Sequence, residues 1–136
     1  MDDWISWKPD YSIGVNRIDE QHKELFRIIN NLGNALWDGA GKDAVGDTLK
    51  FLTDYVVEHF KTEEEYMQDT SFPGFDEHKK AHDDFVGEVK EFVSHFETKN
   101  LATSVTIRIF SRLGDWTRDH VRGPDQEMGK FLSSHS

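Results

Sequence analysis

The 136-residue sequence contains no cysteine. Disulfides, thiolate metal sites and cysteine nucleophiles are thereby excluded, and a cytoplasmic location is permitted and expected. No apolar stretch approaches the roughly 20 residues that a membrane span needs. The opening residues "MDDWISWKPDYSIG" lack a basic region followed by an apolar run, so no secretory signal is expected. Positive charge is also scarce. A formal net charge of −10 argues against a nucleic-acid or anionic-membrane partner. What is present is a length that fits one domain, 1–136, able to bury a core unaided, together with seven histidines.

Helix-breaking residues divide the chain. "DGAGKD" (38–43), "DTSFPGFD" (69–76) and "ETKNLATS" (97–104) carry Gly, Pro, Asn and Ser between segments of helical period. The spacing predicts helices over about 19–37, 43–68, 76–97 and 104–121. Phe72-Pro73-Gly74 is the firmest break, and Gly123-Pro124 ends the fourth helix before a short tail helix over about 125–133. Residues 1–18, with Trp4, Trp7 and Tyr11, are expected to form an ordered arm on the bundle, and 122–136 a tail.

Each helix carries one dominant stripe. These read Ile18, His22, Leu25, Ile29, Leu32, Leu36; then Val45, Leu49, Leu52, Val56, His59, Glu63, Tyr66; then His78, His82, Phe85, Val89, Phe92, Phe96; and Val105, Ile109, Leu113, Trp116, His120. Steps of three and four with short connections predict an all-α, antiparallel up-down-up-down four-helix bundle. In that topology His22 opens its helix, His59 lies late in its own, His78 and His82 open theirs, and His120 closes the last. Five imidazoles and Glu63 therefore point at one end of the molecule.

Singly, each histidine reads as a hydrogen-bonded core residue or a polar first turn, and His59/Glu63 as an ordinary helix-face pair. Jointly they do not. Burying five imidazoles with a carboxylate costs several kcal/mol unless they are paired or bound to a cation. A cysteine-free cluster of histidine and carboxylate suits a first-row metal. A single zinc takes about four ligands, so this many donors suggests two ions. Asp125, five residues past His120, is a candidate second acid, but five is not a helical face spacing and the spacing alone does not decide it. His95, off the stripe, and His135, in the tail, are expected to be solvated.

These residues fall in ordered motifs: "IGVNRIDEQHKELFRIIN" (13–30), "HFKTEEEYM" (59–67) followed by "FP" (72–73), "HKKAH" (78–82) and "WTRDHVRGPD" (116–125). From about Trp7 to Leu132 the chain resembles the hemerythrins, more closely the single-domain bacterial ones. The resemblance implies reversible O2 binding at a non-haem di-iron centre with an oxo or hydroxo bridge, serving O2 transport, storage or delivery. By matching position, it implies that His78, His82 and His120 bind one iron and His22 and His59 the other. Glu63 and Asp125 would bridge the pair. Three histidines and three bridges fill the first iron, while the second, with two histidines, keeps one position for O2 as ligand. Leu25, Ile29, Val56 and Trp116 are candidates for a dry wall around it. Two departures from the family stand out: Pro124 precedes Asp125, and Met128 replaces a common Tyr. Neither removes a ligand, though both bear on access to the site.

Three rivals remain. Di-iron oxidases use four carboxylates and paired Glu-x-x-His motifs, whereas here nitrogen outnumbers carboxylate, so a non-enzyme is expected. An O2 sensor would act on a separate partner. Iron storage finds no room in one small pocket. The expected molecule is a monomer whose partners are dioxygen and an unidentified O2-consuming recipient.

Overall fold

The computed structural model describes residues 4–39, 42–98 and 103–134. Among these residues five α-helices follow one another: α1 (Asn16–Trp37), α2 (Lys42–Asp69), α3 (Phe75–Thr98), α4 (Thr103–Arg122) and α5 (Pro124–Ser134), preceded by a 3-10 turn at Pro9–Tyr11. Among the described residues there is no strand. Helix α1 packs on α2 and α4, and α3 packs on α2 and α4, which closes a four-helix bundle. The tail helix α5 lies against α4 and α2. No helix of the described residues is long and apolar enough to cross a membrane.

The first helix begins three residues ahead of the expected start. Its N-cap, Val15, offers no side-chain oxygen, so the usual start signal is missing. Asp19 works instead from inside the first turn. Its carboxylate accepts the Ile13 N–H at 2.9 Å and the Ser12 hydroxyl at 2.5 Å, tying the arm to α1. At the far end of α2 the Phe72 N–H donates to the Met67 carbonyl at 2.9 Å, with Ser71 at a positive φ of 55° between them. That closing turn, followed by Pro73, ends α2.

The described part of the arm is anchored to the bundle. Asn30 on α1 grips it: Oδ1 accepts the Trp4 and Ile5 N–H groups at 2.7 and 3.0 Å, and Nδ2 donates to the Ile5 carbonyl at 2.7 Å. The Trp4 indole meets the Phe110 ring edge-on at 5.3 Å, so the arm braces α1 against α4. Gly33 makes this possible, since a Cβ there would lie 2.5 Å from the indole. Gly129 plays the same part in α5, where a Cβ would lie 2.3 Å from the Ile13 carbonyl oxygen.

The stripes of α1 and α3 face inward as expected, with Phe96 only partly buried. In α2 the buried face is wider, taking in Phe60 and Met67 while Tyr66 is half-exposed. Helix α4 is rotated from the expected register. Leu113 and His120 are buried, but Ile109 and Trp116 are only partly so, and Thr106, Phe110 and Thr117 take the interior. The Thr117 hydroxyl donates to the Leu113 carbonyl at 2.9 Å, so its methyl can face the core at no polar cost. The side chain of Val105 lies outside the described residues.

Two apolar clusters result. The larger runs through Leu25, Leu32, Leu49, Val56, Phe60, Phe85, Phe92 and Phe110. The smaller joins Ile13, Ile18, Met67, Met128 and Leu132. Along each helix, the polar candidates sit between the two: Ile18–His22–Leu25, Phe60–Glu63–Met67, Val121–Asp125–Met128.

Candidate metal centre

The bundle thus holds a polar layer with an apolar floor and roof. His22, His59, His78, His82, His120, Glu63 and Asp125 are all at most 5 % exposed. The seven residues singled out in the sequence lie together in that layer. Asp125 reaches it because the break at Gly123 is a single residue. The Gly123 N–H still bonds the Asp119 carbonyl at 3.0 Å, and Pro124 restarts the helix at once with Asp125 in its first turn. The chain does not loop back; it steps.

The two carboxylates divide the imidazoles between their oxygens. Glu63 Oε2 lies 3.0 Å from His22 Nε2 and 2.9 Å from His59 Nε2, whereas Oε1 lies 3.3 Å from His78 Nε2 and 3.1 Å from His82 Nε2. Asp125 repeats the division, with Oδ2 3.1 Å from His22 Nε2 and Oδ1 3.0 and 3.1 Å from those of His78 and His120. The three-histidine group closes on itself, with His120 Nε2 3.0 Å from that of His82 and 3.2 Å from that of His78. Two groupings can each enclose an ion: Glu63, His78, His82, His120 and Asp125, and His22, His59 and Glu63.

Charge explains why these groups want a cation. Burial works against ionising Glu63, yet His59, His22 and His78 hold its carboxyl well below the ordinary range. Burial and the Glu63 charge oppose ionising Asp125, and His120 and His22 overcome them. For His22, burial lowers the pKa, but the Asp125 and Glu63 carboxylates outweigh it and raise the value to about 10. The same balance raises His78 to about 9 and also raises His82, where Glu63 and Glu64 oppose burial. At His59 burial wins and the pKa falls. Two buried anions thus need positive charge among them.

The contacts suit a metal better than they suit protons. Although the imidazoles approach Asp125 closely, neither of its oxygens has a hydrogen bond of acceptable direction. Donors about 2.1 Å from one centre and at right angles lie about 3.0 Å apart, against about 3.4 Å for a tetrahedron. The observed spacings run from 2.9 to 3.3 Å, most of them nearer the right-angled value. The residues present therefore fit a pair of metal ions.

Aromatic rings enclose the three-histidine group. Phe60 stacks on His82, and Trp116 stacks on His120 at 4.5 Å with planes 10° apart and on Phe85 at 3.9 Å. Trp116, expected as a wall of the open position, belongs to this other side. Leu25, Ile29 and Val56 are buried in the larger cluster. His95 is half-exposed, its Nε2 4.0 Å from Glu91, while His135 lies outside the described residues. Two polar neighbours escaped the sequence reading. Gln21 Oε1 lies 2.8 Å from His59 Nδ1, and Glu64 Oε2 lies 2.9 Å from His82 Nδ1. Each adjoins a member of the cluster in sequence, Gln21 before His22 and Glu64 after Glu63, the one signal that could have raised them.

A four-helix bundle with a buried cluster of five histidines and two carboxylates has the donor set of a histidine-rich metal-binding protein. Comparison with known proteins narrows the class. The Hemerythrin HHE cation binding domain matches residues 13–132, so this chain belongs to the hemerythrin family. It is 32 % identical over 125 residues to the bacteriohemerythrin of Methylococcus capsulatus, covering 92 % of this chain and 93 % of that one. It is 29 % identical to that of Stenotrophomonas maltophilia, covering 96 % and 83 %. The myohemerythrin of Theromyzon tessulatum is also 29 % identical, covering 88 % and 86 %. The crystal structure of a wild-type hemerythrin superposes with a TM-score of 0.83 at 33 % identity, covering 95 % of this chain and 98 % of that one.

Proposed function

We propose that this chain binds dioxygen reversibly at two iron ions, for O2 transport, storage or delivery. In this reading His78, His82 and His120 hold one iron, His22 and His59 hold the other, and Glu63 and Asp125 give one oxygen to each. The division of both carboxylates between the two histidine groups carries the reading. When bound, two adjacent ferrous ions supply the two electrons that reversible O2 binding needs.

The chain's own residues set the terms. Two imidazoles stand on the His22/His59 side against three on the other, so an ion there would have one protein donor fewer and could take a small exogenous ligand. Buried Leu25 and Val56, each one turn from those imidazoles, restrict water and protons. Nitrogen outnumbers carboxylate at the cluster, and neutral imidazoles stabilise high-valent iron less than carboxylates do. Both features favour binding over oxidation chemistry, hence a carrier, not an enzyme.

The test is a visible spectrum of the reduced, iron-loaded protein before air, after air and after argon, alongside iron analysis. About two irons per chain and a band that appears and disappears reversibly are expected. Iron near one per chain, or sustained turnover of added reductant in air, would reject the reading in favour of a mononuclear site or an oxidase.

A further inference from the structure

Two hydrogen bonds behind the cluster determine which imidazole nitrogen is free to bind metal. On the His59 side the direction of every proton follows from the previous one. The Thr62 hydroxyl donates to the Glu58 carbonyl at 3.1 Å, so its oxygen is left to accept the Gln21 Nε2–H at 3.5 Å. That contact turns the amide so that Oε1 faces His59, and Oε1 can only accept. His59 must then donate its Nδ1–H across 2.8 Å, which leaves Nε2 with a bare lone pair on the cluster side, 2.9 Å from Glu63 Oε2. Two acceptor atoms lie in contact there, an arrangement that a cation bound by both relieves. The Tyr55 hydroxyl donates to the Gln21 carbonyl at 3.2 Å and braces the backbone of the residue that sets this order.

On the other side the acceptor is charged. Glu64, 19 % exposed, accepts from His82 Nδ1 at 2.9 Å, so neutral His82 keeps its Nε2 lone pair for the cluster. Lys79 stands 3.9 Å from the other Glu64 oxygen but is itself held by Asp83 at 3.1 Å. The Glu64 carboxylate thus remains available to the imidazole.

We propose that Gln21 and Glu64 are positioning residues, each holding one imidazole as the Nδ1–H tautomer, with the neutral acceptor behind the His22/His59 position and the anionic one behind the His78/His82/His120 position. This inference rests on the metal reading above and extends it. An anionic acceptor makes His82 the more electron-donating ligand, so the three-histidine position holds its metal the more firmly of the two. The position with fewer protein donors is backed by an uncharged amide.

The experiment uses the full chain loaded with Co(II), which reports on the ligands without any oxygen chemistry. Metal loss to a chelator is timed, and the exchangeable, paramagnetically shifted imidazole N–H resonances are recorded, for wild type, Glu64→Ala, Glu64→Gln and Gln21→Ala. Metal loss from Glu64→Ala should be about 10–100-fold faster than from wild type, with one N–H resonance lost to fast solvent exchange. Glu64→Gln still accepts the proton but lacks the charge, so its retention should fall between Glu64→Ala and wild type, and that same resonance should shift. Gln21→Ala should disturb a different resonance. Should Glu64→Ala fail to fold by circular dichroism, the isosteric Glu64→Gln shift remains decisive. Unchanged resonances, Glu64→Gln no better than Glu64→Ala, or one resonance responding to both sites would each overturn the proposal. Wild type that takes up two Co(II) while the variants match it sinks this inference alone; wild type that takes up none sinks the metal reading with it.

Discussion

The ring of Phe60 lies flat on the imidazole of His82, with centroids 3.7 Å apart and planes within 1°. Phe60 follows a cluster histidine in sequence, yet it braces another on the neighbouring helix. Phe60→Ala should lower stability by about 3–5 kcal/mol, because the ring is buried and leaves a cavity. It should also speed metal loss, since His82 would gain freedom to rotate away. Phe60→Leu separates the two effects by keeping apolar bulk without a stacking face. Denaturant midpoints and chelator-release rates provide the readout. Full recovery of metal retention by leucine would show that filling volume, not stacking, is what holds His82.

His82 and His95 share a helix and differ in everything else. His82→Ala should lose metal and lower the thermal midpoint of the metal-loaded protein, because metal that binds only the folded chain adds to its stability. His95→Ala, at a half-exposed position, should do neither. Metal analysis and thermal melts of the two variants side by side are sufficient. Equal behaviour would mean that the buried layer is not where the metal goes.

Leu25 is 3 % exposed and stands one turn from His22. Leu25→Ala should cost about 2–5 kcal/mol while leaving iron near two per chain, as no donor is removed. The wider pocket should admit water, so the O2-dependent visible band should decay faster. Unchanged decay, with the stability loss present, would remove Leu25 from the wall.

Protonation of the cluster sets opposite pH trends with and without metal. In chelator-stripped protein, His22 near 10 and His78 near 9 lie above the unfolded value of 6.5. Their stabilisation is complete below pH 6.5 and is lost as pH rises through 9 to 10. Glu63 and Asp125, held low, stabilise above the ordinary carboxylate range and lose that contribution as pH falls. His59 is lowered and opposes its neighbours, destabilising below 6.5. The stripped protein should therefore be less stable at pH 9 than at pH 7. Metal replaces those protons, so its apparent affinity rises with pH and the loaded protein should not show that decline. Urea midpoints at both pH values decide it; stripped protein equally stable at pH 7 and 9 would contradict the charge balance.

Helical period made most of this legible before any coordinates. A step of three or four residues determines which side chains share a face whatever the face packs against, so His22, His59, Glu63, His78, His82 and His120 could be placed at one bundle end from their positions alone. Short connections then dictated antiparallel neighbours. Local chemistry could also mark the breaks at Phe72-Pro73 and Gly123-Pro124, since proline restricts the backbone in any context.

Other features depended on what each helix met across the interface. Asp125 is five residues from His120, and only the one-residue step at Gly123 turns that spacing into a shared centre. The inward face of α4 passed to Thr106, Phe110 and Thr117 because Trp4 from the arm packs on Phe110 and the Thr117 hydroxyl finds a carbonyl. The partners behind the imidazoles, Gln21 and Glu64, and the rings stacked on them, Phe60 and Trp116, are contacts between helices. Sequence periodicity assigns residues to faces, whereas rotation and approach of one helix against another choose which atoms meet. The tertiary structure alone decided those pairings, because they come from packing many side chains at once.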